Sequence, residues 1–130
     1  MEQSSKTLTF VVPAYNMETY LERCVESLLS ATDNSDIEVL IVDDGSSDST
    51  PELADMYERR WPGNVRAIHQ VNKGHGGAVN TGIANATGMY VKVVDADDWV
   101  DMPSIDTLMG TLRVQRVATD PGDMIVTNYV

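Results

Sequence analysis

Apolar residues along this chain alternate between short continuous runs and longer stretches with helical spacing. The runs are Leu8 to Val12, Ile37 to Val42, Val65 to His69, Met89 to Val94 and Met124 to Tyr129. They are rich in β-branched residues, as strands buried on both faces are. After the first run, Leu21, Val25, Leu28 and Leu29 fall on one helical stripe. Thr19 and Glu22 match a capping box ahead of it, with Asn16 as an alternative cap. In a second helix Leu53, Met56 and Tyr57 share a face. Pro51 sits in its first turn behind a Ser/Thr cap, and Trp61-Pro62-Gly63-Asn64 ends it. A short third helix, about Ala78 to Ala86, is rich in small residues and is stopped by Gly88. A fourth begins near Pro103 and carries Ile105, Leu108, Met109 and Leu112.

Strands alternating with helices predict an α/β fold. With right-handed crossovers it is a doubly wound, mostly parallel sheet with helices on both faces. No repeat, linker or low-complexity stretch divides residues 1–130, so a single domain is expected. The chain closes on a strand at Tyr129-Val130. That end predicts a piece of a longer catalytic domain. An unpaired sheet edge there predicts pairing of two copies as a homodimer.

Composition narrows the partners. The formal net charge is −11, and only nine Lys and Arg are present, scattered along the chain. Nucleic acid and anionic membrane are therefore not expected partners. One Cys excludes an intrachain disulfide and any Cys-based zinc cluster. No apolar run approaches the roughly 20 residues of a membrane span. The start of the chain is acidic and polar where a signal peptide needs a basic start and a long apolar stretch. A soluble cytoplasmic domain is the expectation, held at the inner membrane face if other parts of a longer protein anchor it.

In doubly wound sheets, ligands bind beyond the carboxyl ends of the strands. The polar residues gather there. The first run leads into Pro13-Ala14-Tyr15-Asn16, and the second into Asp43-Asp44-Gly45-Ser46-Ser47-Asp48. The third leads into Asn72-Lys73-Gly74-His75-Gly76-Gly77, and the fourth into Asp95-Ala96-Asp97-Asp98-Trp99. Three carboxylates within four residues repel one another, and a hard divalent cation such as Mg²⁺ or Mn²⁺ relieves that. A solvated acidic turn with Asp98 capping the next helix is the bland alternative. Asp43 or Asp44 can accept a hydrogen bond from a ring N–H or a ribose hydroxyl; Asp-Gly-Ser-Ser-Asp is also good turn chemistry. The glycines before the third helix let backbone approach a ligand, and a helix N-terminus favours anions. Lys73 and His75 are either phosphate contacts or surface residues. Tyr15 either stacks on a planar ring or sits at the core edge. Trp99 is expected to pack at a strand–helix junction, Cys24 to fill a buried gap, and His69 to be structural. No Gly-rich loop follows the first strand, which argues against a dinucleotide site, and no P-loop pattern is present.

Taken together, these segments resemble the family 2 glycosyltransferases, whose nucleotide-sugar-binding fold is called GT-A. The matching pieces are Val11 to Asn16, Val42 to Thr50, Asn72 to Gly82 and Val94 to Trp99, in the family's order and spacing. The resemblance implies inverting transfer of a sugar from a nucleoside-diphosphate sugar, a UDP-sugar by expectation, to a hydroxyl of a glycan or lipid-linked glycan. It implies that Pro13 and Tyr15 flank the base and that Asp44, beside Asp43, reads it. Asn72, Gly74, Gly76, Gly77 and Asn80 would lie by the nucleotide and donor sugar. Asp95 would sit near the ribose, and Asp97, with Asp95 and Asp98, would hold Mn²⁺ or Mg²⁺ against the diphosphate. The general base is expected beyond residue 130. Many members carry Arg where this chain has Val79. Two other readings remain open at this stage. One is a nucleotide-binding module without transferase activity. The other is a sugar nucleotidyltransferase, which would need a basic Gly-rich loop after the first strand.

Overall fold

The computed structural model describes residues 6–118 and 125–126. Strands β1 (Leu8–Ala14), β2 (Ile37–Asp43), β3 (Val65–His69), β4 (Tyr90–Val93) and β5 (Ile125–Val126) form one parallel sheet in the order β3-β2-β1-β4-β5. Helices α1 (Leu21–Leu28), α2 (Thr50–Arg60), α3 (Gly74–Asn85) and α4 (Met102–Ala118) connect them. The strand order reverses at β1, so a crevice opens beyond the carboxyl ends of β1 and its neighbours.

Every residue of β1 and β2 is buried. Alternate side chains enter two different cores. Leu8, Phe10, Val12, Ile37, Val39, Ile41 and Tyr90 face the larger one, where α1, α2 and α4 contribute Leu21, Val25, Leu28, Ala54, Tyr57, Ile105, Met109 and Leu112. Val11, Leu40, Val42 and Val91 face the smaller core, covered by α3 through Ala78 and Ile83. Helices thus cover both faces, as the alternation of runs and stripes predicted.

The boundaries shift where local signals compete with tertiary contacts. β1 runs two residues past Val12 and includes Pro13. Val11 accepts from Val94 N–H on the β4 side, so Pro13, two residues on, turns its missing donor to that same side, past the last β1–β4 pair at Val11 and Val93. The expected last strand is seen at Ile125 and Val126; Met124 and residues 127–130 lie outside the described residues.

The caps differ from the sequence pattern. No side chain caps α1, whose cap position is Tyr20 and not Thr19. Asn16 does not cap it either. It sits at φ 53° and ties the end of β1 to the end of β2. α2 starts behind Ser49 as expected, but the acceptor for Thr50 N–H is Asp48 Oδ1. α4 is capped by Asp101, which accepts from Ser104 N–H at 2.7 Å, and not by Asp98. The expected start of α3 moves from Ala78 to Gly74, so the glycine motif is the first turn of the helix.

One buried polar network sets how β4 enters the sheet. Thr9 Oγ1 donates to Glu38 Oε1 at 2.7 Å, Thr87 N–H donates to the same oxygen, and Arg66 Nε donates to Glu38 Oε2. Burial pushes the Glu38 carboxyl up, but these donors outweigh it and hold it below the ordinary range. Gly88 N–H completes the set by donating to Thr9 Oγ1 at 2.8 Å.

Candidate nucleotide and metal site

Four strand ends meet at one rim. Loops 15–18 and 44–50 are tied to each other by side chains. Asn16 N–H donates to Ser46 Oγ, and Asn16 Oδ1 accepts from Ser47 N–H. Met17 N–H donates to Thr50 Oγ1, Glu18 N–H to Asp48 Oδ2, and Ser49 N–H to Glu18 Oε2. Gly45 makes this turn at φ 76°, with Asn72 backbone so close that an added Cβ would lie 2.9 Å from its nitrogen. Only glycine tolerates both conditions.

The two acids after β2 have different surroundings. Asp43 is buried, and both oxygens are engaged: Oδ1 accepts from Ser46 N–H, and Oδ2 faces His69 Nδ1 at 2.8 Å. Asp44, also buried, accepts Gln70 Nε2 and Lys73 N–H through Oδ1. Its Oδ2 makes no hydrogen bond among the described residues. Asn72 Nδ2 donates to the Asp44 carbonyl, so Asp44 also anchors the entry to α3. Lys73, at the cap position of α3, makes no side-chain cap bond, and Asn72 Oδ1 accepts from Gly74 N–H, the first amide of the helix, at 3.1 Å.

A cleft of about 340 Å³ lies at this rim, lined in part by Pro13, Tyr15, Asp44, Asn72, Gly74, His75, Asp95 and Asp97. Asp43, Gly76, Gly77, Asn80 and Asp98 do not line it. Tyr15 is half exposed there. Asp95, Asp97 and Asp98 are exposed and offer carboxylate oxygens within 4.8 Å of one another. An all-oxygen set suits a hard divalent cation. His75 Nε2 lies 2.8 Å from Asp95 Oδ1, a partner that the sequence did not reveal. Gln70, whose amide holds Asp44, was also missed; its only sequence signal is a polar residue directly after a strand.

Cys24 is the buried filler expected. Burial, with Asp98, Asp97 and Asp95 nearby, pushes its thiol up to about 12. Trp99 does not pack at a strand–helix junction. It is 56% exposed, with the Arg23 guanidinium 3.7 Å from its ring centroid. The guanidinium of Arg23, from α1, thus lies on the ring face where core packing was expected.

His69 is structural in a specific way. Its ring bridges Asp43 Oδ2 at 2.8 Å and Asp55 Oδ1 at 2.7 Å, linking β3 to β2 and α2. Hydrogen bonds that the ring donates to Asp43 and then to Asp55 raise its pKa above the ordinary 6.5. A raised folded value means the stabilisation is full below the unfolded pKa and is lost as pH rises through the folded one. Wild type is expected to lose a stability increment that His69→Gln lacks when urea unfolding is compared at pH 5.5 and pH 9. The increment should stay below about 1 kcal/mol because the ring is partly solvated. Parallel pH dependence in both proteins would contradict the bridge.

The model for Glycosyl transferase family 2 matches residues 9–120. The putative glycosyltransferase EpsH of Bacillus subtilis strain 168 is 35% identical over 122 residues, which is 94% of this chain and 33% of that protein. Among solved structures, S. aureus TarS 1–349 in complex with UDP-GlcNAc superimposes with a TM-score of 0.74 at 27% identity, over 83% of this chain and 31% of that one. The mannosyltransferase PcManGT of Pyrobaculum calidifontis, in complex with GDP-Man and Mn²⁺, gives 0.71 at 25% identity, over 93% and 35%. The chain spans about a third of the length of these relatives.

Proposed function

The chain belongs to glycosyl transferase family 2, and on that premise we propose that its rim binds a nucleoside-diphosphate sugar, UDP-linked, as donor for inverting transfer to an acceptor hydroxyl of a glycan or lipid-linked glycan. One observation carries the reading. Tyr15, Asp44, Asn72, Asp95 and Asp97, from four separate strand ends, line a single cleft.

Each residue has chemistry that suits a part of such a donor. The half-exposed Tyr15 ring offers a face for the base, with Pro13 beside it. The Asp44 oxygen left over from Gln70 and Lys73 can accept a ring N–H. The first turn of α3, with Gly74 lining the cleft and Gly76 and Gly77 following it, would set a positive helix end against the diphosphate, the Gly74 amide itself being held by Asn72 Oδ1. Asp95, Asp97 and Asp98 would hold Mn²⁺ or Mg²⁺. Such a cation, when bound, neutralises charge on the departing diphosphate. His75 holds one Asp95 oxygen and so orients that carboxylate. Asn80, on the exposed side of α3, is assigned to the donor sugar. None of the three carboxylates is the base for the acceptor; their place is at the leaving group.

Calorimetric titration with UDP and GDP, each with and without Mn²⁺, tests the reading. UDP is expected to bind more tightly with Mn²⁺ and more tightly than GDP. Tyr15→Ala should weaken UDP by roughly tenfold, about the worth of one ring contact. Absence of saturable nucleotide binding with Mn²⁺ would refute the donor-site assignment.

A further inference from the structure

A second cavity, of about 350 Å³, lies between the sheet and α4. Phe10 and Lys92 on the sheet and Ile105 on the helix form its buried floor. Ser104, Thr107 and Thr111 place hydroxyl-bearing residues at its exposed rim. None of these residues belongs to the nucleotide cleft.

Lys92 is the unexpected member. It sits inside an otherwise apolar strand and is 92% buried by residue area, being only 8% exposed. No acceptor lies within hydrogen-bond distance of its ammonium among the described residues. Burial alone lowers its pKa. The stem is packed away, while Nζ is not among the fully enclosed polar atoms, so the ammonium keeps solvent access at the cavity that Lys92 lines. On the same face of β4, two residues earlier, Tyr90 buries a hydroxyl that also lacks a partner among the described residues. Tyr90 lies outside the cavity, and among the described residues Lys92 is the one charged residue that lines it. The cavity above Lys92 has apolar walls and an open, hydroxylic mouth. A carboxylate on an apolar body matches it in charge and in surface, and the volume is within the usual range for small-molecule sites.

We propose that the cavity beneath α4 is a binding site for a small amphiphilic carboxylate, with Lys92 as the counter-ion at its floor. The site is independent of the donor-site reading.

Octanoate is the probe, with octan-1-ol as its uncharged control. Calorimetry on the intact chain is expected to show saturable octanoate binding, with octanol weaker by roughly tenfold or more, the usual scale for a charge-assisted hydrogen bond. Lys92→Met should erase the difference between the two probes and leave UDP binding unchanged. The melting temperature of the ligand-free protein should stay equal or rise slightly, since Met replaces the buried apolar stem and no protein anion loses its partner among the described residues. Leu108→Trp, which fills the cavity from its half-buried wall and keeps Lys92, should abolish octanoate binding. The proposal is overturned if octanoate and octanol bind equally, if neither binds, or if Lys92→Met or Leu108→Trp binds octanoate as wild type does. It is also overturned if Lys92→Met lowers the melting temperature, because the ammonium would then already have its anion within the protein.

Discussion

Exchanging Asp97 for Asn is expected to weaken UDP binding in the presence of Mn²⁺ by roughly tenfold to a hundredfold or more, the scale at which even outer partners of a metal site act. The argument is electrostatic. Asp95, Asp97 and Asp98 bring carboxylate oxygens within 4.8 Å of one another at an exposed tip. Three like charges at that spacing are unfavourable unless a cation is shared. Asn keeps a ligand oxygen and removes the charge. The exposed position predicts little change in folding, and relief of repulsion predicts a melting temperature equal to or slightly above that of wild type. UDP binding without Mn²⁺ should barely change. Asp101→Asn is the matched control. Asp101 caps α4 and is no member of the cluster, and Asn caps about as well as Asp. Calorimetry that finds the same Mn²⁺-dependent affinity in Asp97→Asn and wild type would remove Asp97 from the metal site.

The second large effect concerns how the acids reach the rim. Gly88→Ala is expected to lower stability by about 2–4 kcal/mol, the sum of overpacking and one lost buried hydrogen bond. A Cβ at Gly88 would lie 2.5 Å from Thr9 N and 2.7 Å from Leu8 C. Both are backbone atoms of the central strand, so no rotamer change relieves the contact. Relief requires moving the chain before β4, which breaks the Gly88–Thr9 bond and disturbs the bonds that Thr9 and Thr87 make to Glu38. The shift also propagates to Asp95, only a few residues beyond β4. Gly110→Ala offers the contrast. Nothing lies within 4 Å of its added Cβ, and its exposed place in α4 predicts a gain of about 0.5–1 kcal/mol from helix propensity. Urea unfolding followed by circular dichroism reads both. A change under about 0.5 kcal/mol for Gly88→Ala would show that the close approach to β1 is not tight.

The contrast between these glycines shows where sequence information stops. In the sequence Gly88 reads as the stop of the third helix, but α3 ends at Asn85 with Ala86 at its cap position, and what Gly88 supplies, the near-contact with Thr9, joins residues 79 positions apart. The same holds for capping. Asp98 and Asp101 are equally good caps by type, and only the start of α4 at Met102 selects Asp101. The Gly74–Gly77 segment has poor helix propensity and reads as loop. It becomes helical because Lys73 N–H is anchored on Asp44 and Gly82 lets α3 close onto Val11, with an added Cβ only 2.2 Å from its side chain.

The chain's own pattern of apolar runs and stripes determined the order of elements, the parallel doubly wound sheet and the gathering of acids and glycines at strand ends. These follow from periodicity and turn chemistry, which act over a few residues and are written locally. Tertiary structure alone decided which oxygen of Asp44 stays unpaired among the described residues, how His75 meets Asp95, how Arg23 meets the exposed ring of Trp99 and how Lys92 comes to lie beneath α4 with no described partner. Each depends on groups brought together from distant strands, and burial, charge pairing and hydrogen bonding are properties of that meeting and not of any segment by itself.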